Sequence, residues 1–330
     1  MLANATRTIA LNVLLISVIF ITACGEKSGE RTIRLAHNLD IQHPVHKAML
    51  YMNKRLKLHS ADTMQLEIYS SGQLGSEREV LELLQIGTLG MTKVSASSIE
   101  AFVPAMKVFS LPYLFSSQEH LWKTLNSDIG QTLLEAGIPF RIRGLGYYDA
   151  GSRSFYSTKK QILSPDDLRG MKIRVMSSQS AVNMVNTMGG SATPVSWGEL
   201  YTALQQGVVD GAENNPPSFY LSKHYEVSKY YTLDEHTSIP DVIVIGTHIW
   251  NQLNAQEQSW LQLAMNESTE HQRQLWQEAT NEALIAVKAA GVEVRLADKS
   301  RFQQSVSDLI TVHQGTELGD LIFEIQKLEI

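Results

Sequence analysis

The chain has 330 residues, of which 43% are hydrophobic and 19% charged, with a formal net charge of −6 and one cysteine. This is the balance of an ordinary globular protein, and with no basic tract or aromatic–basic interleaving it excludes nucleic acid as a partner. A single thiol excludes a disulfide within the chain, and about 300 residues beyond any leader are more than one core usually holds, so two domains are expected. No Pro/Gly/Ser-rich linker separates them, which fits several short crossings between the domains.

Residues Met1–Ala23 read as a targeting segment: Arg7 gives a weakly basic start, and the apolar run Ile9–Ile21 is too short for a comfortable membrane span. Ile21-Thr22-Ala23-Cys24 resembles a lipoprotein cleavage box, so Cys24 is expected to carry a lipid that tethers a periplasmic protein to a membrane, with ordinary signal cleavage and free release into the periplasm as the alternative.

The first strand is expected at Thr32–Ala36, leading into His37 and a helix from about Pro44 to Leu58. His37, His43 and His46, with Asp40 nearby, lack the spacing of a zinc site, so no metal is expected. A strand at Leu66–Tyr69 and a helix from Ser76 to Ile86 follow. There Leu84–Gly90 echoes Leu204–Asp210: in each, a helix end and a glycine stop lead into a strand, which suggests two similarly wound domains. Phe140–Tyr148 reads as a long strand that crosses between them. Its Gly144-Leu145-Gly146 lacks the third glycine and following helix of a dinucleotide site, and no cofactor is expected.

Residues 164–220 read as three helix–strand units. Ser164-Pro165 opens a helical turn that Gly170 stops, before a strand at Lys172–Met176. A helix from Ser178 to Met188 follows, and Ser196 with Glu199 forms a capping box for a third helix, which precedes a strand at Val208–Asp210. Such alternation predicts a largely parallel sheet covered by helices, with ligands beyond the carboxyl ends of its strands. Arg174, Trp197 and Asn214 occupy that position, and Arg174 points away from the face of Ile173 and Val175. Taken alone, Arg174 also fits an exposed strand residue in a surface ion pair. After a strand at Asp241–Ile245, Asn254 and Glu257 cap a helix with no stop before Gly291. Its small-residue stripe runs Leu261, Ala264, Ser268, Gln272, Leu275, Ala279, Ala283, Val287, Ala290. At ~1.5 Å per residue that helix spans ~55 Å, enough to bridge two domains.

Leu168–Val175 (LRGMKIRV), together with Gly189 to Asn214 (GGSATPVSWGELYTALQQGVVDGAEN), resembles the solute-binding proteins of TRAP transporters, the DctP family. Gln73-Leu74-Gly75, Phe109–Tyr113 and Gly151-Ser152-Arg153 fit the same family in order. The resemblance implies a two-domain periplasmic-binding-protein-like α/β fold with a long helix spanning both domains. Its parts would be a leader of residues 1–23, domain I of 31–150 plus 240–279, and domain II of 151–239 plus 280–330. It implies no enzyme activity, a monomer, and delivery of a small organic acid to small and large membrane subunits. The family's carboxylate-clamping arginine falls on Arg174; Arg153 and Asn214 match a second arginine and an amide near the ligand. His37, Glu77 and Ser95 match first-domain positions facing the ligand, and Trp197 matches a wall aromatic. Tyr148, Ser177 and Asp241 are neighbouring candidates. Ser95 replaces an acidic residue of the sialic-acid binders, which disfavours that ligand.

Glu213–Tyr220 and Leu233–Thr237 resemble a branch of the family associated with uronic acids, so a hexuronate such as glucuronate or galacturonate is expected. A C4-dicarboxylate is the alternative, with Arg153 as a second clamp. A sensor that docks on a histidine kinase is another. Glu77, His37 and Tyr148 could do acid–base work in a lyase or epimerase, yet no nucleophile motif accompanies them.

Overall fold

The computed structural model describes residues 30–329, so the leader and Cys24 lie outside the described residues. The strands are β1 (Arg31–Ala36), β2 (Met64–Tyr69), β3 (Met91–Ser95), β4 (Ile142–Tyr148), β5 (Ser152–Ser157), β6 (Lys172–Val175), β7 (Ser191–Pro194), β8 (Gly211–Asn214), β9 (Tyr230–Ser238), β10 (Asp241–Gly246) and β11 (Glu293–Leu296). They form two sheets, ordered β2-β1-β3-β10-β4 and β11-β9-β5-β8-β6-β7.

Read from the β2 and β7 edges, the two sheets share one winding. In each, the second strand of its half lies outside the first, the third follows, and then a reversed strand is inserted from the other half. That strand is β10, antiparallel to β3 and β4, in the first sheet, and β5, antiparallel to β8 and β9, in the second. Each crossing therefore hands a strand to the opposite sheet: Asp149–Gly151 joins β4 to β5, and Ile239-Pro240 joins β9 to β10. The motif echo marks this symmetry, because the glycine-stopped helices Glu77–Ile86 and Leu200–Gln205 precede β3 and β8, the corresponding third strands.

Both stops are left-handed glycines, Gly87 (φ 90°) and Gly207 (φ 70°). The next N–H, of Thr88 or Val208, reaches back to the carbonyl of Leu83 or Ala203, the six-residue closure of a Schellman cap. This turn is why the strand expected at Val208–Asp210 starts at Gly211: Val208 and Val209 both donate to Ala203, and Asp210 caps the neighbouring strand through Lys172. The pair Ser196–Glu199 bonds side chain to side chain and opens a 3-10 turn instead of capping backbone.

Helices cover both faces of each sheet. Along β10, Val242 and Val244 join one core while Ile243 and Ile245 join the other, the alternation of a strand buried on both sides. The long helix Ala255–Ala289 is 35 residues, roughly 52 Å at 1.5 Å per residue. Asn254 caps it in a capping box with Glu257. It buries Leu261 and Ala264 in a first-half core, Ser268 and Gln272 against Tyr148 and Asp149, and Val287 in a second-half core. Trp276, not the Leu275 of the expected stripe, is the residue buried beside Gly151 at the crossing. Gln272 pins that crossing by bonding both backbone groups of Asp149, at 2.7 and 2.8 Å. Gly151 (φ 59°) follows, where an added Cβ would lie 3.0 Å from the Trp276 indole nitrogen.

The C-terminal helix Glu317–Lys327 departs from expectation. It buries Ile322 and Ile325 with Leu121 and Trp122, and His120 Nε2 lies 2.9 Å from the Ile325 carbonyl, so this end of the chain returns to the first half.

Candidate functional site

A cleft of about 380 Å³ separates the two halves and touches both crossings through Ala150 and Ile239. Arg174 on β6 lines it from the second half. Its neighbours Ile173 and Val175 pack into one core, so strand alternation turns the guanidinium to the other face, toward the cleft. Arg174 is 3% exposed, which removes the surface ion-pair reading. Its Nε donates to the Val195 carbonyl at 2.8 Å, and its guanidinium lies 5.7 Å from the Trp197 ring centre. Its Nη1 is buried with no partner, and no carboxylate pairs with it among the described residues. Burial lowers its pKa from the ordinary value.

Arg153 is a different kind of residue. On β5, one strand from β8, its Nε and Nη2 grip the Glu213 carboxylate, Nη2 also donates to the Glu213 carbonyl, and Nη1 donates to Asn214 Oδ1 at 2.9 Å. Although it lines the cleft, its charge is already answered. Asn214 accepts from Arg153 and from the Asn215 N–H through Oδ1, which leaves its Nδ2 for the cleft.

From the first half, Glu77 and Ser95 reach the cleft and His37 does not. His37 Nδ1 accepts from the Leu39 N–H at 3.2 Å and its Nε2 meets His46 Nδ1 at 2.9 Å, so both ring nitrogens are occupied. His43 takes the wall position. It caps the helix Pro44–His59 by accepting from the Val45 N–H, and its Nε2 meets Ser218 Oγ of the second half at 3.3 Å. An Nδ1 that accepts is unprotonated, so His43 is neutral with its proton on Nε2. Burial first, then nearby Lys93, lowers its pKa well below the ordinary value. Among the described residues, no group of three His, Cys, Asp or Glu side chains is arranged to hold a metal.

Lys93 of β3 was not anticipated. It is buried between Glu77 (3.0 Å) and Asp241 (3.1 Å), partners 16 and 148 residues away. Of the neighbouring candidates, Ser177 and Asp241 line the cleft, whereas Tyr148 turns away to bond Ser268 Oγ at 2.8 Å. Glu100 was also missed: it crosses to the second half, accepting from Ser178 Oγ at 2.8 Å and the Ser180 N–H at 3.0 Å.

Behind Arg153, the buried chain continues through Glu213 to His236 (3.5 Å) and Asp234 (2.7 Å), two cations alternating with two acids. Burial pulls the His236 pKa down, but Asp234 and Glu213 outweigh it and raise it to about 9. The stability this proton supplies is full below the ordinary value of 6.5 and is lost as pH rises through about 9. The wild type is therefore expected to lose about 3 kcal/mol of stability on moving from about pH 6 to pH 10, from 1.36 kcal/mol per pKa unit, and His236→Gln to lose that slope. Urea unfolding midpoints at the two pH values measure it; equal slopes in both proteins would mean that His236 is neutral in the fold.

Two like-wound halves, joined by strand crossings and one spanning helix around a cleft with a spare buried cation, define a two-lobe solute-binding protein. The chain belongs to the DctP family, the bacterial extracellular solute-binding proteins of family 7, which it matches over residues 35–314. It is 37% identical over 283 residues to an uncharacterized protein, YiiZ, of Salmonella typhimurium, covering 85% of this chain and 86% of that one. Among solved structures it is similar to a TRAP periplasmic solute-binding protein from a Bradyrhizobium species in complex with α/β-D-galacturonate. That likeness has a TM-score of 0.88 and 36% identity, and covers 90% of this chain and 100% of the other. A TRAP protein from Pseudomonas putida with bound D-glucuronate matches at TM-score 0.86 and 35% identity, over 89% of this chain and 96% of that one. The two solved relatives are TRAP periplasmic solute-binding proteins.

Proposed function

We propose that this protein captures a hexuronate, D-glucuronate or D-galacturonate, in the cleft and delivers it to the small and large membrane subunits of a TRAP transporter. The observation that carries the reading is Arg174, a buried guanidinium with an unpartnered Nη1 beside an open cavity. Burying a cation without a counter-charge costs free energy that a ligand carboxylate offsets, and the planar fork can bind it through two parallel bonds. Asn214 Nδ2 and the Trp197 ring flank that position. The dicarboxylate alternative needs a second free cation; of the others lining the cleft, Arg153 is engaged by Glu213, Lys93 by two acids and Arg78 by Glu82. The names of the solved relatives, with bound galacturonate and glucuronate, point the same way. Titration calorimetry with D-glucuronate, D-galacturonate and succinate tests this. Binding of either uronate and not of succinate is the expected result; succinate alone would sink it.

The halves are read as domains that close on the ligand: 31–150 plus 240–279, and 151–239 plus 280–316, with the C-terminal helix returning to the first. Glu100–Ser178 and His43–Ser218 then act as cross-cleft contacts of the closed form.

Cys24 is proposed as a lipid-bearing residue that tethers the protein at the periplasmic side of a membrane. Cys24→Ser is expected to accumulate as unprocessed precursor in membrane fractions; normal processing to a soluble protein would reject lipidation.

A further inference from the structure

We propose that Asp241, held in place by Lys93, is the acceptor for the ligand's hydroxyl groups, and that the acidic wall it belongs to rejects a second carboxylate. The inference rests on the sugar-acid reading of the cleft and adds the group that reads the ligand's far end.

Asp241 opens β10, the strand inserted from the return crossing, and lies opposite Ser95 in the register with β3. Its Oδ1 accepts from Lys93 Nζ at 3.1 Å, while its Oδ2 has no hydrogen bond among the described residues and the side chain lines the cleft. Glu77, the acid the sequence motif singled out, is by contrast saturated. Its Oε1 accepts from Lys93 Nζ at 3.0 Å and from the Ser95 N–H at 3.3 Å, and its Oε2 accepts from Ser98 Oγ at 2.5 Å. Glu77 is therefore a positioning residue: it fixes Lys93, and Lys93 fixes Asp241.

The cleft is polarised as a result. One ammonium against two carboxylates leaves the Glu77–Lys93–Asp241 cluster with a net negative charge; Arg78, the other cation on this wall, is answered by Glu82 at 3.1 Å, and Asn38 Oδ1 in the same cleft is a buried acceptor with no donor. The second-half wall presents Arg174 as an unanswered cation. A ligand with a carboxylate at one end and hydroxyl donors at the other satisfies both walls. A ligand with two carboxylates sets one of them against Asp241, and like charges in a partly desolvated site repel. An acceptor built for hydroxyls also penalises a molecule that lacks them, because the polar group is left unpaired.

The test is titration calorimetry on the wild type and Asp241→Asn, using D-glucuronate and the six-carbon dicarboxylate adipate, with thermal melting as the fold control. The wild type is expected to bind glucuronate at least about 100-fold more tightly than adipate. Asp241→Asn is expected to weaken glucuronate by about 10- to 100-fold and to bind adipate more tightly than the wild type does. If the amide variant does not fold, Asp241→Glu, which keeps the charge and moves it, is expected to lose glucuronate affinity while still rejecting adipate. A wild type that binds glucuronate, with a folded Asp241→Asn or Asp241→Glu that binds it equally well, overturns this inference alone. A wild type that binds adipate and no uronate overturns the sugar-acid reading and the inference with it.

Discussion

Arg174→Lys is expected to weaken D-glucuronate binding by about 2–4 kcal/mol while leaving thermal stability nearly unchanged. Lysine keeps the charge and loses the fork. A carboxylate bound bidentately by guanidinium would meet one ammonium on a flexible stem, and the cation–π contact of the guanidinium with Trp197, at 5.7 Å, would change with it. Fold stability should hardly suffer, because among the described residues Arg174 makes one hydrogen bond, to the Val195 carbonyl, and no ion pair that its loss would break. Calorimetry and melting curves on the two proteins separate these effects. An unchanged affinity would mean that the guanidinium serves Val195 and Trp197 alone and that the ligand carboxylate binds elsewhere.

Arg174 was legible because strand alternation is a local signal: Ile173 and Val175 are apolar neighbours, and the residue between them must face the other way. The paired winding of the halves was legible for a similar reason, since a glycine stop leaves its mark within a few residues of the helix it ends. What distinguishes Arg174 from Arg153 was not legible. Arg153 is answered by Glu213, 60 residues on, and only the pairing of β5 with β8 brings them together. Lys93 was missed because it sits in a short strand, and the acids that make its burial tolerable come from a distant helix start and an inserted strand. His37 and His43 share one strand–helix junction. Which of them faces the cleft is decided by side-chain direction, although His43 before Pro44 carried a usable helix-cap signal. The C-terminal helix was misplaced because its amphipathic pattern says that one face is buried, not against which half.

The contrast between the two arginines yields the other large effect. Arg153→Leu is expected to destabilise the fold by about 3–5 kcal/mol, because it strands a buried carboxylate. Glu213 is 2% exposed and takes two side-chain bonds from Arg153. Arg153, more than the weaker His236 contact, opposes burial and holds the Glu213 carboxyl down at about 2. Without the guanidinium, the alternating row of Arg153, Glu213, His236 and Asp234 is left with two acids and one cation, and Asn214 loses the donor that orients its amide. Arg153→Leu/Glu213→Leu removes both charges and is expected to recover most of the loss, since an apolar pair of similar volume costs less than one unpaired ion. Urea midpoints on the two single variants and the double variant measure the coupling. Uronate affinity, read on the same proteins at a temperature where all are folded, decides between the two roles. If Arg153→Leu kept its stability and lost the ligand, Arg153 would be a clamp in its own right, and a dicarboxylate would regain the second cation it needs.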